Sequence, residues 1–271
     1  MKKHLSRIYL CLIFGILYIP IITLIFFSFN SINSTSVFAG FSFMWYKELF
    51  SSPDTFVALR NTLILAVCSA LLSTVIGTAA CEGIYRMRKG LLRRTVESVT
   101  KIPMMNPDIV TGMSMMLFFV ALVGLLGIEY DSFGFFAMLI AHTTFCLPYV
   151  ILSVLPRRTE LGNSLGEAAM DLGCTPVQAF FRVELPNLLP GILSGFIMAF
   201  TLSLDDFVIS YFVGSSSFQT LPLLIYSMTK KKVKPDMYAL STLIVVVVFT
   251  LLVVSNWRAA KREKRKAGAH K

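Results

Sequence analysis

Apolar positions in this chain fall into long blocks with few or no charges inside them. Six blocks stand out: Ile8 to Phe29, Asn61 to Cys81, Ile102 to Leu126, Ser132 to Pro156, Leu188 to Phe212 and Met237 to Trp257. Crossing a hydrocarbon layer of about 30 Å takes about 20 apolar residues in helical form, and each block reaches that length. The pattern predicts six transmembrane helices in one polytopic, all-α bundle. Lys2, Lys3 and Arg7 ahead of the first block resemble the basic start of a secretory signal. The uncharged stretch is longer than the usual 7–15 residues of a cleaved signal, and no A-x-A site follows it. A retained first helix is predicted.

Composition narrows the class further. The 271 residues are 55% hydrophobic and 15% charged, with a mean hydropathy of +0.72. Soluble domains carry about 25% charged residues, so a soluble enzyme, a disordered tail and a disulfide scaffold are all excluded. Cys11, Cys68, Cys81, Cys146 and Cys174 are scattered without a CxxC pair, which predicts reduced thiols and no metal site. The net charge of +10 comes from loops and tails between the apolar blocks. That placement points to the lipid surface as partner, and not to nucleic acid.

Basic residues also predict orientation. With the N-terminus inside, 19 of the 25 Lys and Arg residues fall in cytoplasmic segments and six in outer ones. The positive-inside bias then places both termini in the cytoplasm of a cell (plasma or inner) membrane. The cluster Lys230, Lys231, Lys232 and Lys234 opposes this assignment and is outvoted. The basic tail 258–271 reads as an anchor on anionic lipid. A sequon, Asn33-Ser34-Thr35, lies in the first outer loop, where so short a pattern carries little weight. The chain divides into a first helix with its outer loop (1–56), a core (57–257) and the basic tail (258–271).

The segment Arg157 to Asn187 is too rich in helix signals for a simple connector. Ser164-x-x-Glu167 fits a capping box that starts a short helix near Leu165. Gly173 supplies the left-handed residue that ends it. Thr175-Pro176-Val177-Gln178 reads as a second start, with Thr as N-cap, Pro at the first helical position and Gln closing the box. The second helix is predicted to stop before Pro186, with Phe180 and Phe181 free to pack on a partner or on the bundle. By caps alone, a hairpin lying on the bilayer and a protein-docking hairpin are equally good readings.

Glu167-Ala168-Ala169, then Gly173, then Leu185-Pro186 resembles the EAA loop of permease subunits of ABC importers. The resemblance covers the chain from about Phe56 to Trp257. It implies a type I ABC importer permease-like fold, with this loop as the docking site for a separate ATPase. It assigns Glu167, Ala168, Ala169, Gly173, Thr175, Phe180 and Phe181 to that interface. It also implies a second homologous permease subunit, two ATPase subunits and an extracytoplasmic substrate-binding protein as partners. The stretches 105–110, 200–206 and 221–228 are similar to those of spermidine/putrescine permeases, which makes a polyamine the expected substrate. The chain has no G-x-x-x-x-G-K-[ST], H-E-x-x-H or G-x-S-x-G motif. ATP and Mg are therefore expected on the partner ATPase, with no cofactor and no catalytic residue in this chain.

Acidic residues inside apolar blocks are costly and mark pathways or caps. Asp108 follows Pro103 and Pro107, which are expected to interrupt the helix; broken helices at membrane depth line cavities or are packed in protein. Asp205 and Asp206 lie 17 and 18 residues beyond Leu188, about 26 Å along a helix and toward the outer mouth. Asp108, Asp205 and Asp206 are the expected substrate path, with Trp45 and Tyr46 as outer aromatic contacts or interfacial anchors. Capping and water-facing roles for the same acids remain open. Glu82 reads as a solvated boundary residue. His142 reads as an interhelical hydrogen-bonding residue. A self-sufficient ion-coupled carrier or channel, relaying ions through Asp108, Asp205 and His142, is the rival class. Import of another small solute, such as sulfate or a metal ion, is the rival substrate reading.

Overall fold

The computed structural model describes residues 2–32, 34, 37–127, 129–230, 237–243, 245–246 and 249–250. The basic tail, residues 244, 247–248 and 251–257 of the sixth block, Lys231 to Lys234, and Asn33 and Thr35 of the sequon lie outside the described residues. The chain divides into two compact units, Met1–Phe56 with Ile225–Lys271, and Val57–Leu224. In chain order the helices are α1 (Lys2–Phe27), α2 (Met44–Ser51), α3 (Pro53–Arg86), α4 (Leu91–Met105), α5 (Asp108–Leu126), α6 (Tyr130–Leu161), α7 (Ser164–Asp171), α8 (Pro176–Ala179), α9 (Leu185–Asp205), α10 (Val208–Val213) and α11 (Leu221–Lys230). A π-helical turn, Phe180–Glu184, joins α8 to α9. Among the described residues there is no strand, only two isolated bridges.

Four helical stretches are long and apolar enough to cross a membrane: Pro53–Arg86, Asp108–Leu126, Phe133–Leu161 and Pro176–Asp205. The apolar part of α1, Leu12–Phe27, is shorter. Residues 237–243, at the start of the sixth block, are helical.

Two predicted spans differ in detail. The third block does not run unbroken from Ile102. It is cut at Asn106-Pro107, because Pro107 has no N–H to donate and biases Asn106 to an extended backbone, ψ 143°. Pro103 does not break the chain and sits inside α4. The fifth block does not reach Phe212 as one helix; α9 ends at Asp205, Asp206 is extended with ψ 123°, and α10 restarts at Val208. Its other end also moves. The chain stays helical past Pro186, because the π turn widens the backbone one residue ahead of it, with the Leu185 amide reaching back to the Phe180 carbonyl.

In the unit Val57–Leu224, α6 and α9 form the most extensive helix pair, and α10 packs on α5. Gly191, Gly195, Ala199 and Ser203 recur every four residues on α9, and all are buried. Small side chains at that spacing let two backbones approach closely. A Cβ on Gly195 would lie 3.2 Å from Val150 Cγ1, and one on Gly191 would lie 3.2 Å from the Ser153 carbonyl. Cys146 donates its thiol hydrogen to the Ala199 carbonyl at 3.4 Å in the same seam. At the start of α6, the Asp131 carboxylate accepts from the Ser216 amide and hydroxyl at 3.1 and 2.7 Å, which ties down the turn after α10.

In the unit Met1–Phe56 with Ile225–Lys271, Asn30 is fully buried and organises the chain after α1. Its side-chain amide donates to the carbonyls of Ser34 and Val37, and its oxygen accepts from the Ala39 amide. Phe29, Phe41, Phe43 and Tyr46 stack around this hook.

The α6–α9 seam yields the first prediction. Gly195→Leu overpacks it and should cost about 1–3 kcal/mol, read as a lower Tm of the detergent-purified chain. Gly124→Leu, where a Cβ meets nothing within 4 Å, should leave Tm unchanged. Equal melting of the two variants would refute the close approach.

Candidate functional site

The predicted docking residues gather in one hairpin. Helix α7 starts at Ser164, so Ser164 is its first helical residue and not its cap; Asn163 holds the N-cap position without a side-chain hydrogen bond. The predicted first capping box is therefore not formed, although the Asn163 carbonyl still accepts from the Glu167 amide at 3.0 Å. The stop is as expected. Gly173 has φ +90°, its amide donates to the Met170 carbonyl at 2.9 Å, and the Cys174 amide reaches the Ala169 carbonyl at 3.0 Å. These two bonds make a Schellman motif. The second capping box forms in full: Thr175 Oγ1 accepts from the Gln178 amide at 3.3 Å, and Gln178 Oε1 accepts from the Thr175 amide at 3.1 Å.

Two surfaces result. Ala169 and Ala179 turn inward and are buried. Glu167, Ala168, Gly173, Thr175 and Phe181 are exposed, Phe180 is half-buried, and Leu172 is 87% exposed. An exposed apolar patch of this kind, rimmed by polar residues, can seat a protein partner or a membrane surface.

The hairpin rests on an ion cluster that the sequence reading missed. Glu82 is not a solvated boundary residue: its side chain is 14% exposed and its carboxylate meets Arg158 on both oxygens, at 2.7 and 3.2 Å. Arg86 Nε also donates to it at 2.5 Å. Arg158, 2% exposed, donates further to Glu184 Oε1 at 3.1 Å and to the Gly162 carbonyl at 2.6 Å, and lies 3.9 Å from the Tyr85 ring centre. Glu184 belongs to the π turn, and a Cβ on Gly166 of α7 would come within 2.6 Å of its Oε1. Thus α3, α6 and the turn into α9 meet on one buried guanidinium, and α7 packs through Gly166 against the Glu184 carboxylate that it binds. A cavity of about 190 Å³ opens beside it, lined by Arg86, Arg158, Asn163, Gly166, Glu167, Met170 and Glu184. The available signal was an Arg and two Glu at the ends of apolar blocks, where an unpaired charge is expensive.

The predicted path acids separate by role. Asp108 is exposed in the first turn of α5, directly after the break at Pro107. A carboxylate there is favoured by the free amides and positive dipole of a helix start. Asp205 is exposed at the end of α9. Asp206 is occupied: its side chain is 7% exposed and accepts from the amides of Ile209 and Ser210 at 3.3 and 2.8 Å, the free donors of the first turn of α10. His142 lies 3.5 Å from the same carboxylate. Its Nδ1 meets Ser203 Oγ at 2.7 Å, its Nε2 meets Ser210 Oγ at 3.1 Å, and Ser69 donates to Ser203 Oγ at 2.9 Å. The interhelical bonding expected of His142 is present, and it spans the break between α9 and α10.

Trp45 and Tyr46 belong to the other unit. Trp45 is 5% exposed and its indole N–H donates to the Asn30 carbonyl at 2.6 Å. Tyr46 is half-buried, bonded to Ser28 Oγ at 2.8 Å. Both act first as packing residues of the hook.

Removing one partner of a buried ion cluster leaves the others uncompensated, a cost of about 3–5 kcal/mol. Arg158→Leu should therefore lower unfolding stability by that order. The triple variant Arg158→Leu with Glu82→Leu and Glu184→Leu should regain much of it. Chemical denaturation of the detergent-purified chain checks this, and a single variant as stable as the parent would refute the burial of the cluster.

Comparison with known proteins follows the same lines. The family model described as "Binding-protein-dependent transport system inner membrane component" matches residues 73–266. The putrescine transport system permease protein PotI of Escherichia coli (strain K12) is 38% identical over 253 residues, covering 93% of this chain and 90% of that protein. The spermidine/putrescine transport system permease protein PotC of Haemophilus influenzae is 37% identical, covering 94% and 96%. Among solved structures, a bacterial ABC transporter involved in import of the acidic polysaccharide alginate superposes with a TM-score of 0.75 at 15% identity, covering 96% of each chain. That last likeness shows the fold.

Proposed function

This chain belongs to the family of binding-protein-dependent transport system inner membrane components, and from that premise we propose that it forms, with a second permease, the translocation path for a polyamine. The ion-coupled carrier or channel is set aside by the family. Two ATPase subunits binding ATP and Mg, and an extracytoplasmic substrate-binding protein, complete the assembly. Both termini lie in the cytoplasm, in keeping with the 19-to-6 division of basic residues. Six spans follow once the shorter apolar stretch of α1 and the sixth block are counted with the four long helices. Polyamine as substrate is supported by the names of relatives at 37–38% identity and by the exposed carboxylates of Asp108 and Asp205 beside two helix breaks.

The observation that carries the coupling role is the α7–α8 hairpin, which exposes Glu167, Phe181 and Leu172 while standing on the buried Arg158 cluster. Such a hairpin is rigid enough to receive a push and apolar enough to bind a partner. Gly173→Val strains the left-handed turn, since a β-branched residue is disfavoured at positive φ. It and Phe181→Ala should leave membrane abundance unchanged, reduce transport about tenfold or more, and lose ATPase co-purification, a cost in keeping with truncating an interface anchor. Full transport by both would return the hairpin to a membrane-surface role.

For the substrate, Asp108 and Asp205 are the acids free to meet a polycation, and Asp206 acts through the helix break. Attraction between unit charges 4 Å apart is about 1 kcal/mol in water and about 4 kcal/mol at an effective dielectric near 20. Two such contacts offset part of the lost hydration without trapping the cargo, the balance conduction requires. Asp108→Asn and Asp205→Asn should each reduce putrescine or spermidine uptake while the importer still assembles. Asp206→Asn should lower Tm as well as uptake, because its amide nitrogen cannot accept the second of the two backbone N–H groups that the carboxylate takes, and a buried donor left unpaired costs about 1–3 kcal/mol. Normal uptake by the double variant Asp108→Asn, Asp205→Asn at normal abundance would remove these residues from the path.

A further inference from the structure

Helix α4 (Leu91–Met105) connects α3 to α5, both long enough to span. A segment between two spans lies at one face of the membrane. With successive residues about 100° apart, Leu91, Leu92, Val96, Val99 and Ile102 share one side of α4, and Arg93, Arg94, Glu97 and Lys101 share the other. None of its 15 residues is buried. Leu91 and Leu92 are 81% and 70% exposed. The spanning helix α5 also exposes apolar side chains, but its only charge is Asp108 at its first turn. The sharp division of α4 into an apolar side and a basic side is that of a helix lying in the interface, not crossing it.

An open cavity of about 470 Å³ sits at the start of this helix, lined by Lys89, Gly90, Leu91, Arg93, Arg94 and Glu97. Arg93 is held in place there. Its Nε donates to Glu97 Oε1 at 2.8 Å, Nη1 donates to the Tyr85 carbonyl at 3.4 Å, and the guanidinium lies 6.0 Å from the Tyr85 ring centre. Lys89 and Arg94 are exposed and form no salt bridge among the described residues. Two uncompensated cations thus face an open cavity whose edge runs straight onto an exposed leucine pair.

We propose that α4 is an interfacial helix and that this cavity holds the phosphate-bearing headgroup of an anionic phospholipid. The Lys89 ammonium and the Arg94 guanidinium donate to the phosphate oxygens, and the acyl chains lie along Leu91, Leu92, Val99 and Ile102. A free phosphate uses the cations but leaves the leucines in water. A zwitterionic lipid covers the leucines but brings an ammonium group of its own to the cations. The anionic phospholipid satisfies both halves at once.

The test uses the full-length chain, purified in detergent and exchanged into equal mixtures of phosphatidylglycerol and phosphatidylcholine, with bound lipid counted by native mass spectrometry. Phosphatidylglycerol should be retained preferentially, less so as salt rises. Lys89→Gln and Arg94→Gln should each lower that retention about fivefold, the equivalent of one basic residue at a charged lipid surface. Arg182→Gln, an exposed cation outside this cavity, should not. Replacing Leu91 and Leu92 with Gln should lower retention of both lipids. Equal retention of the two lipids, undiminished retention in the Lys89→Gln, Arg94→Gln double variant, or displacement of phosphatidylglycerol by inorganic phosphate would each overturn the proposal. So would loss of a co-purifying permease or ATPase subunit from the double variant with lipid retention unchanged, since that face would then be covered by protein.

Discussion

Helices in lipid gain little by hiding apolar surface from one another, because the solvent around them is as apolar as they are. They associate through close backbone approach and through polar bridges. The α6–α9 pair depends on both. Gly191, Gly195, Ala199 and Ser203 give α9 a face of small residues, and Val150 and Ser153 of α6 fill the space that larger side chains would occupy. That antiparallel pairing sets the register of everything chemical in its unit. At one end it brings Arg158 of α6 to Glu184 just ahead of α9. At the other it brings His142 to Ser203. The two polar assemblies are the two ends of one seam, and neither forms if the seam slips by a turn.

Charge inside such a seam is tolerable only when it is fully partnered. Arg158 has carboxylates on both sides, a carbonyl on a third donor and an aromatic face beneath it, so its desolvation is offset on every side. His142 meets one hydroxyl at each nitrogen, and because a hydroxyl can donate or accept, both ring nitrogens are partnered in either tautomer. Asp206 faces the free amides that the break in α9 creates. In each case the group that disrupts the helix or the apolar block is also the group that satisfies what the disruption exposes.

Much of this was legible in the chain. Block lengths predicted the long helices, Gly173 and the Thr175-to-Gln178 box predicted how the hairpin stops and restarts, and Pro107 predicted a break before Asp108. The misses have physical causes. Ser164 carries the composition of a cap, but the chain leaves α6 at Gly162 with φ +65°, which moves the cap position to Asn163. Pro186 looked like a helix stop, because local rules assume i→i+4 bonding and the chain answers with a π turn. Glu82 looked solvated, because its partner Arg158 is 76 residues away and only the α3–α6 arrangement brings them together. The four-residue repeat of small side chains on α9 was visible and points to the same seam, yet a spacing alone does not say which helix it faces.

The π turn also bears on how a push on the hairpin would travel. Glu184 lies within that turn, between the hairpin and α9, and it is the residue that touches Arg158 and crowds Gly166 of α7. A displacement of α7 therefore meets Glu184 first, and Glu184 is already bound to the ends of α3 and α6 through Arg158 and Glu82. Had the hairpin continued into α9 as a plain α-helix, the side chain at this position would point about 100° elsewhere for each residue of offset, away from the guanidinium. The widened turn costs regular hydrogen bonding and in return aims one carboxylate at the junction of four elements. Movement at the hairpin is then shared by several helices at once, which is what a permease needs if binding on one side is to rearrange a path on the other.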